Sequence, residues 1–341
     1  MNSLERVLQA LEHKEADRVP YFLHLSMHGA KSLKMSLKEY FSKGSYLAEG
    51  QLLLQKRFGH DCLNGFAYAA IEIEAWGGEV IFHENGPPNS GKPMLHSPAQ
   101  ISKLKAPDPY DSPALKRVLD AIGIMKDNVG SEVPIIGVVI SPFSLPVMQM
   151  GFPTYLDYLE GNSQELKQLL ETNIEFCIQW ANAQMKAGAT VICYFDPISS
   201  PTCITPNRYR EIGLPVARKV FSGIEGPTVT HFASGRVQRI LDNVVDTGTL
   251  ALGVGVDEDL KDLKDLAEKK IALIGNLNGV EMCRWTPKEA RRKVKEAIAI
   301  AGKGGGFILS DSHGEIPWDV SFEVLDAIRD GVEEYGQYPI I

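Results

Sequence analysis

Two histidines in this chain stand where a side chain could meet a ligand. One lies in Val229-Thr230-His231-Phe232-Ala233-Ser234-Gly235 and the other in Ser310-Asp311-Ser312-His313-Gly314-Glu315-Ile316-Pro317. Each follows an apolar run and precedes small, turn-forming residues, the pattern of a strand opening into a loop. An imidazole in such a place acts as an acid, a base or a metal ligand near neutral pH, or is simply a hydrogen-bonded structural group. Asp196-Pro197 follows a third apolar run and either orients a ligand or a histidine or opens an Asx-type turn. Glu72 and Glu74 are two apart, hence on one face of a strand, where they would bind a cation or a proton or, more plainly, face solvent.

The elements that would position these residues alternate along the chain. Apolar runs at Tyr21–Leu25, Cys62–Phe66, Ile135–Ile140, Thr190–Phe195, Thr228–Phe232, Leu250–Val256, Ile271–Gly275 and Gly306–Leu309 predict eight short strands. Between most of them lie segments of helical periodicity: Ser45–Phe58, Ser112–Asn128, Ser163–Ala187, Pro206–Ser222, Arg236–Thr247, Leu260–Ala267 and Pro287–Ala301, with Ser321–Tyr335 closing the chain. An opening helix is marked by Asn2 with Glu5, a capping box. Strands buried on both faces read as continuous apolar runs, so the alternation predicts a (β/α)₈ barrel. That barrel carries an N-terminal helical extension and, over Ala69–Ser97, a small β excursion after the second strand. All 341 residues read as one domain.

In such a barrel the residues just past each strand's C-terminal end form the mouth. These are His24, Ser26 and His28; Asn64 and Tyr68; Ser141 and Phe143; Tyr194, Asp196, Ser199 and Ser200; His231 and Ser234; Asp257; Asn276 and Asn278; and Ser310, Asp311, Ser312, His313 and Glu315. The Gly302-Lys303-Gly304-Gly305-Gly306 run precedes a strand, the wrong context for a phosphate cradle, and reads as a helix-ending loop. HExxH, GxSxG and CxxC do not occur.

Bulk properties narrow the classes further. Residues are 44% hydrophobic and 23% charged, and the formal charge of -8 argues against a nucleic-acid partner. Basic runs that would hold a membrane surface, apolar stretches that would span one and a secretory start are not seen in the sequence. The five scattered cysteines read as reduced thiols, which predicts a cytoplasmic protein.

The stretches LERVLQALEHKEADRVP, YFDPISSPTCITPNRYREIGLP, IALIGNLNGVEM and GGGFILSDSHGEIP resemble, in order and over almost the whole chain, the uroporphyrinogen decarboxylase superfamily. The resemblance implies a (β/α)₈ barrel and one of two chemistries, porphyrinogen decarboxylation or corrinoid-dependent methyl transfer. The decarboxylase holds its eight substrate carboxylates with arginines after the first strand, whereas Tyr21–Lys56 contains no arginine. Its second-strand carboxylate is replaced by Tyr68 or a neighbour. Thiol-directed methyltransferases carry a His-x-Cys pair and a later Cys as zinc ligands; here the pair reads His231-Phe232-Ala233 and the later position is His313.

The resemblance therefore implies a methyltransferase that takes a methyl group from a small substrate, an aryl methyl ether, to the Co(I) of cobalamin on a separate corrinoid protein. His231, His313, Asp196 and Tyr194 are the expected catalytic groups, with His313 or Tyr194 protonating the departing phenolate. His24, Tyr68, Ser141, Phe143, Ser310 and Glu315 are the expected substrate contacts. A metal, zinc included, would have to use His231, His313 and a carboxylate. The alternatives are a decarboxylase, a thiol methyltransferase using methylcobalamin and a non-catalytic binding barrel, and a homodimer is the assembly weighed.

Overall fold

The structure, a computed structural model, describes residues 1–161 and 163–340. Seven parallel strands follow one another in spatial order: Leu63–Asn64, Ile135–Ile140, Val191–Phe195, Thr228–His231, Ala251–Gly253, Ala272–Leu277 and Phe307–Asp311. The eighth position is held by the segment from Tyr21, which bridges Leu309 in parallel. On one side the Phe22 N–H donates to the Leu309 carbonyl at 2.9 Å, and on the other the Asp61 N–H donates to the Tyr21 carbonyl at 2.8 Å. The ring thus closes as the alternation predicts, but the first strand is irregular. Pro20 supplies no N–H before it, and the Leu25 N–H turns back to the Leu23 carbonyl at 2.8 Å after it.

Local chemistry sets the helices. Asn2, Ser112, Ser163, Thr286 and Ser321 accept N-terminal amides, and Asn2–Glu5 and Thr286–Glu289 form complete capping boxes. Gly304, Gly305 and Gly306 all have positive φ, so the glycine run is the turn that ends helix Pro287–Ala301 and delivers the last strand. Helix Ser3–Leu11 lies across the N-terminal end of the barrel, where Val7 and Ala10 pack with Phe22, Cys62 and Ile308. None of the described helices is long and apolar enough to cross a membrane.

That helix is pinned by a buried charge. The Asp61 carboxylate, fully buried, meets Arg6 at 2.6 Å and Arg18 at 2.7 Å and also accepts from the Tyr21 N–H at 2.9 Å. Asp61→Ala leaves two guanidinium groups facing an emptied site, and a loss of about 3–5 kcal/mol in unfolding free energy is expected from denaturant titration.

Two segments depart from the sequence reading. Within Ala69–Ser97 the expected small β excursion is an antiparallel hairpin, Val80–Ile81 with Asn89–Ser90, but Ile71–Ala75, which alternates like a strand, is a helical turn. The alternating Ile-Glu-Ile-Glu misleads because Ile71, Glu72 and Ile73 are all buried, so polarity does not report exposure there. Glu72 and Glu74 consequently share no face. Glu72 Oε1 accepts from the Ile140 N–H at 2.8 Å, whereas Glu74 meets Arg117 at 2.8 Å and takes the Tyr68 hydroxyl at 2.6 Å. The second departure is Arg236–Thr247, where a 3₁₀ turn at Gln238–Ile240 and a short helix, Leu241–Val245, replace the longer helix expected.

Burial pushes the Glu72 carboxyl up to about 8, so the protonated form is native at neutral pH. Its contribution to stability is full below the ordinary carboxyl range and is lost as pH rises through about 8. Glu72→Gln, a neutral group of the same shape, is expected to flatten that decline, which runs from the ordinary carboxyl range up to about pH 8, in a series of thermal melts.

Candidate active site

Strand parity decides which side chains reach the barrel axis. Along Val191–Phe195, Cys193 and Phe195 face a cavity of about 160 Å³ at the C-terminal mouth. Ile192 and Tyr194 point the other way, into the layer between strand and helices. Tyr194 packs edge-on against Phe221 and is fully buried away from that cavity. The cavity's polar lining comes from His24, Asn64, His231, His313 and Glu315. Its apolar wall includes Phe66, Phe195 and Ile136, and Pro87 and Pro88 of the hairpin loop close one side. Lysine and arginine are absent from this lining among the described residues.

His24 and Asp311 form a buried pair, with His24 Nδ1 2.6 Å from Asp311 Oδ1 and the Ser310 hydroxyl 3.3 Å from the same nitrogen. Oδ2 of Asp311 accepts from the backbone N–H groups of His313, at 3.2 Å, and Gly314, at 3.1 Å. Burial alone would push this carboxyl up, but His24, through its charge and its hydrogen bonds, brings it down to about 2. Asp311 therefore stays ionised, orients His24 and shapes the turn that carries His313.

Glu315 behaves oppositely. Burial, with the nearby Asp311 charge, raises its carboxyl to about 7, against the opposing Ser26 hydroxyl and His24. The Ser26 Oγ–H donates to Glu315 Oε1 and fixes the carboxyl's orientation. Two carboxylic acids in one mouth are thus set far apart, one permanently charged and one able to give or take a proton near neutrality.

Of the residues expected from the sequence, His231, His313, His24 and Glu315 meet at the cavity, and Ser310 supports His24 from behind. Asp196, Tyr194, Tyr68, Ser141 and Phe143 do not line it. The Asp196 carboxylate is taken up by the hydroxyls of Ser141, Ser144 and Ser199, and its N–H donates to the His231 carbonyl at 2.8 Å. It organises its own loop, because three hydroxyls leave no free oxygen for a ligand. Tyr68 is held by Glu74 and Arg117, and Phe143 receives the Tyr155 hydroxyl on its carbonyl at 2.6 Å.

Asp311 stands in the sequence only as one of the mouth residues, and its pairing with His24 is not visible there. Its one signal is its place as the last residue of the final strand, directly ahead of the His313 turn.

The metal set weighed from the sequence does not form. Among the described residues no group of three or more His, Cys, Asp or Glu side chains is arranged to hold a metal ion. His231 Nδ1 already accepts the Ala233 N–H at 2.9 Å. Cys193 also faces the cavity, and burial pushes its thiol up to about 12.

Residues 2–335 match the profile of the uroporphyrinogen decarboxylase (URO-D) family. Relatives include the uroporphyrinogen decarboxylase of Pseudoalteromonas atlantica, 27% identical over 98% of each chain. A methylcobamide:CoM methyltransferase of Methanosarcina barkeri is 28% identical over 64% of this chain and 63% of its own. A methyltransferase from Methanosarcina mazei has a similar fold, with a TM-score of 0.87 and 23% identity over 98% of this chain and 99% of that one. With a profile match that spans nearly its whole length, this chain belongs to the uroporphyrinogen decarboxylase family.

Proposed function

We propose that the protein is a methyltransferase that takes the methyl group of an aryl methyl ether and passes it to the corrinoid of a separate protein. The observation that carries this reading is the character of the mouth: a small, largely apolar cavity, without a basic side chain among the described residues, into which Glu315 brings a carboxyl that titrates at about 7. A substrate with eight carboxylates would need cationic partners that this lining lacks. A thiol acceptor would need a zinc set that the described residues do not form. The methyltransferase names among the relatives support the same branch.

The corrinoid supplies the Co(I) nucleophile. The chain's residues bind the ring of the ether between Phe66, Phe195 and the prolines, exclude water and protonate the leaving oxygen. Glu315 is the proton donor, since its carboxyl titrates at about 7, keeps a protonated fraction at neutral pH and lines the cavity, whereas Tyr194 faces away from it. His24, held by Asp311, faces the same cavity and orders its polar side. The mouth must then open to a corrinoid protein, and the cytoplasm is the compartment proposed.

Incubation with uroporphyrinogen and, separately, with methoxylated aromatics plus a reduced corrinoid protein tests the reading by chromatography. Release of a phenol without loss of porphyrinogen carboxyls is expected. Decarboxylation of the porphyrinogen would overturn the proposal.

A further inference from the structure

His231 is held in one tautomer. The Ala233 N–H donates to Nδ1 at 2.9 Å, so Nδ1 is the acceptor and the ring hydrogen sits on Nε2. Ala233 makes that contact with φ at 52°, a left-handed conformation that a residue bearing a side chain rarely adopts. The ring is confined as well. It stacks on Phe195 at 5.7 Å between centroids, and a Cβ on Gly253 would stand 2.2 Å from His231 Cδ2. Glycine at 253 is therefore what leaves room for the imidazole. Nε2 is buried and has no partner among the described residues, although His231 lines the cavity. Burial lowers the imidazole to about 3, with His24 and His313 acting the same way and Asp311 against them, so the ring is neutral.

A buried N–H with no acceptor is costly, and such groups in native proteins are usually answered by water or a ligand. We propose that His231 is a fixed hydrogen-bond donor that selects ligands carrying a lone-pair oxygen at the reacting position, and that Gly253 and the Ala233 N–H are its positioning groups. This deepens the methyltransferase reading and rests on it for the identity of the oxygen. A phenol or aryl ether offers the required acceptor; a quaternary ammonium or a plain hydrocarbon offers none.

In the transfer, the methyl–oxygen bond breaks with its electron pair left on oxygen, and the methyl carbon takes the electron pair of the corrinoid's Co(I). Negative charge grows on the oxygen while Glu315 delivers its proton there. The Nε2–H bond to that oxygen is then stronger in the transition state than before it, which is the condition for catalysis by a donor.

The test is a binding comparison of phenol with toluene, the near-isostere that lacks the oxygen, by calorimetry on the full chain, together with ¹⁵N spectra of the histidine rings. Wild type is expected to prefer phenol by about tenfold, the size of one hydrogen bond. His231→Phe is expected to erase that preference, read as the ratio of phenol to toluene affinity, and Gly253→Ala, which displaces the ring, to reduce it.

The wild-type ¹⁵N spectrum should show the His231 ring fixed as the neutral Nε2–H form from pH 5 to 9, distinguished by its shift on addition of phenol from the buried His28 ring, whose Nε2 already faces the Val320 carbonyl; this readout does not depend on any variant folding. Equal losses for phenol and toluene, an Nδ1–H tautomer, or a ring that titrates in that range would overturn the proposal. Phenol bound through His231 without methyl transfer from anisole would leave the donor standing and overturn the methyltransferase reading. Methyl transfer that survives loss of the Nε2–H undiminished would do the reverse.

Discussion

Glu315→Gln is expected to lower the rate of methyl transfer from an aryl ether by about 10²–10⁴-fold, the range that a positioned proton donor contributes. The amide keeps the carboxyl's shape and can still accept from the Ser26 hydroxyl, so the mouth should keep its form while losing its acid. The sign of the pH dependence follows from the raised carboxyl. With its pKa at about 7, the protonated, active form is full in mildly acidic solution and is lost as pH rises through about 7. The wild-type rate should therefore fall on the alkaline side with a midpoint near that value. The groups that face Glu315 are Ser26, Asp311 and His24, and of these Asp311 is already ionised across the range. In the variant the residual rate should show no such limb, which a pH–rate profile with an excess of corrinoid protein would reveal.

Asp311→Asn is expected to cost nearly as much, by a different route. Both oxygens of Asp311 are acceptors: Oδ1 serves His24 Nδ1 at 2.6 Å, and Oδ2 serves the N–H groups of His313 and Gly314. An asparagine has one acceptor and one donor end. Aimed at the turn, its NH₂ meets two N–H groups; aimed at His24, it forces the ring into the other tautomer. Either way His24 or the turn bearing His313 is misplaced, and loss of a histidine's orienting carboxylate costs catalysis up to about 10⁴-fold. A fall in kcat of about 10²–10⁴ with a modest change in KM is the expected result. Asp311→Glu, which keeps the charge but not the reach, should recover little of it.

The barrel was legible in the sequence because its signals are local. Apolar runs mark strands buried on both faces, and residues such as Asn2, Ser163 and Thr286 mark helix starts within a few positions of where they occur. The failures arose where local pattern and burial part company. Ile-Glu-Ile-Glu alternates like a strand but folds as a helical turn, because Glu72 finds the Ile140 N–H 68 residues away and is buried with its neighbours.

The candidate site was half legible for a similar reason. That His231, His313, His24 and Glu315 share one mouth follows from their places at strand ends. Which residue of a doubly buried strand faces the axis does not, since Tyr194 and Phe195 lie in one apolar run and only the register of Val191–Phe195 against its neighbours separates them. Asp311 acquired its role from His24, 287 residues distant, a pairing that exists only once the ring of strands has closed.

The most direct measurement is the absorbance of a Co(I) corrinoid protein mixed with this protein and a panel of methoxylated aromatics. Conversion to the methyl-Co(III) form with at least one aryl methyl ether, together with an equal amount of the free phenol and no loss on addition of a chelator, is the expected result. No methyl-cobalt from any aryl methyl ether, with a corrinoid protein shown to be active by another methyl donor, would contradict it.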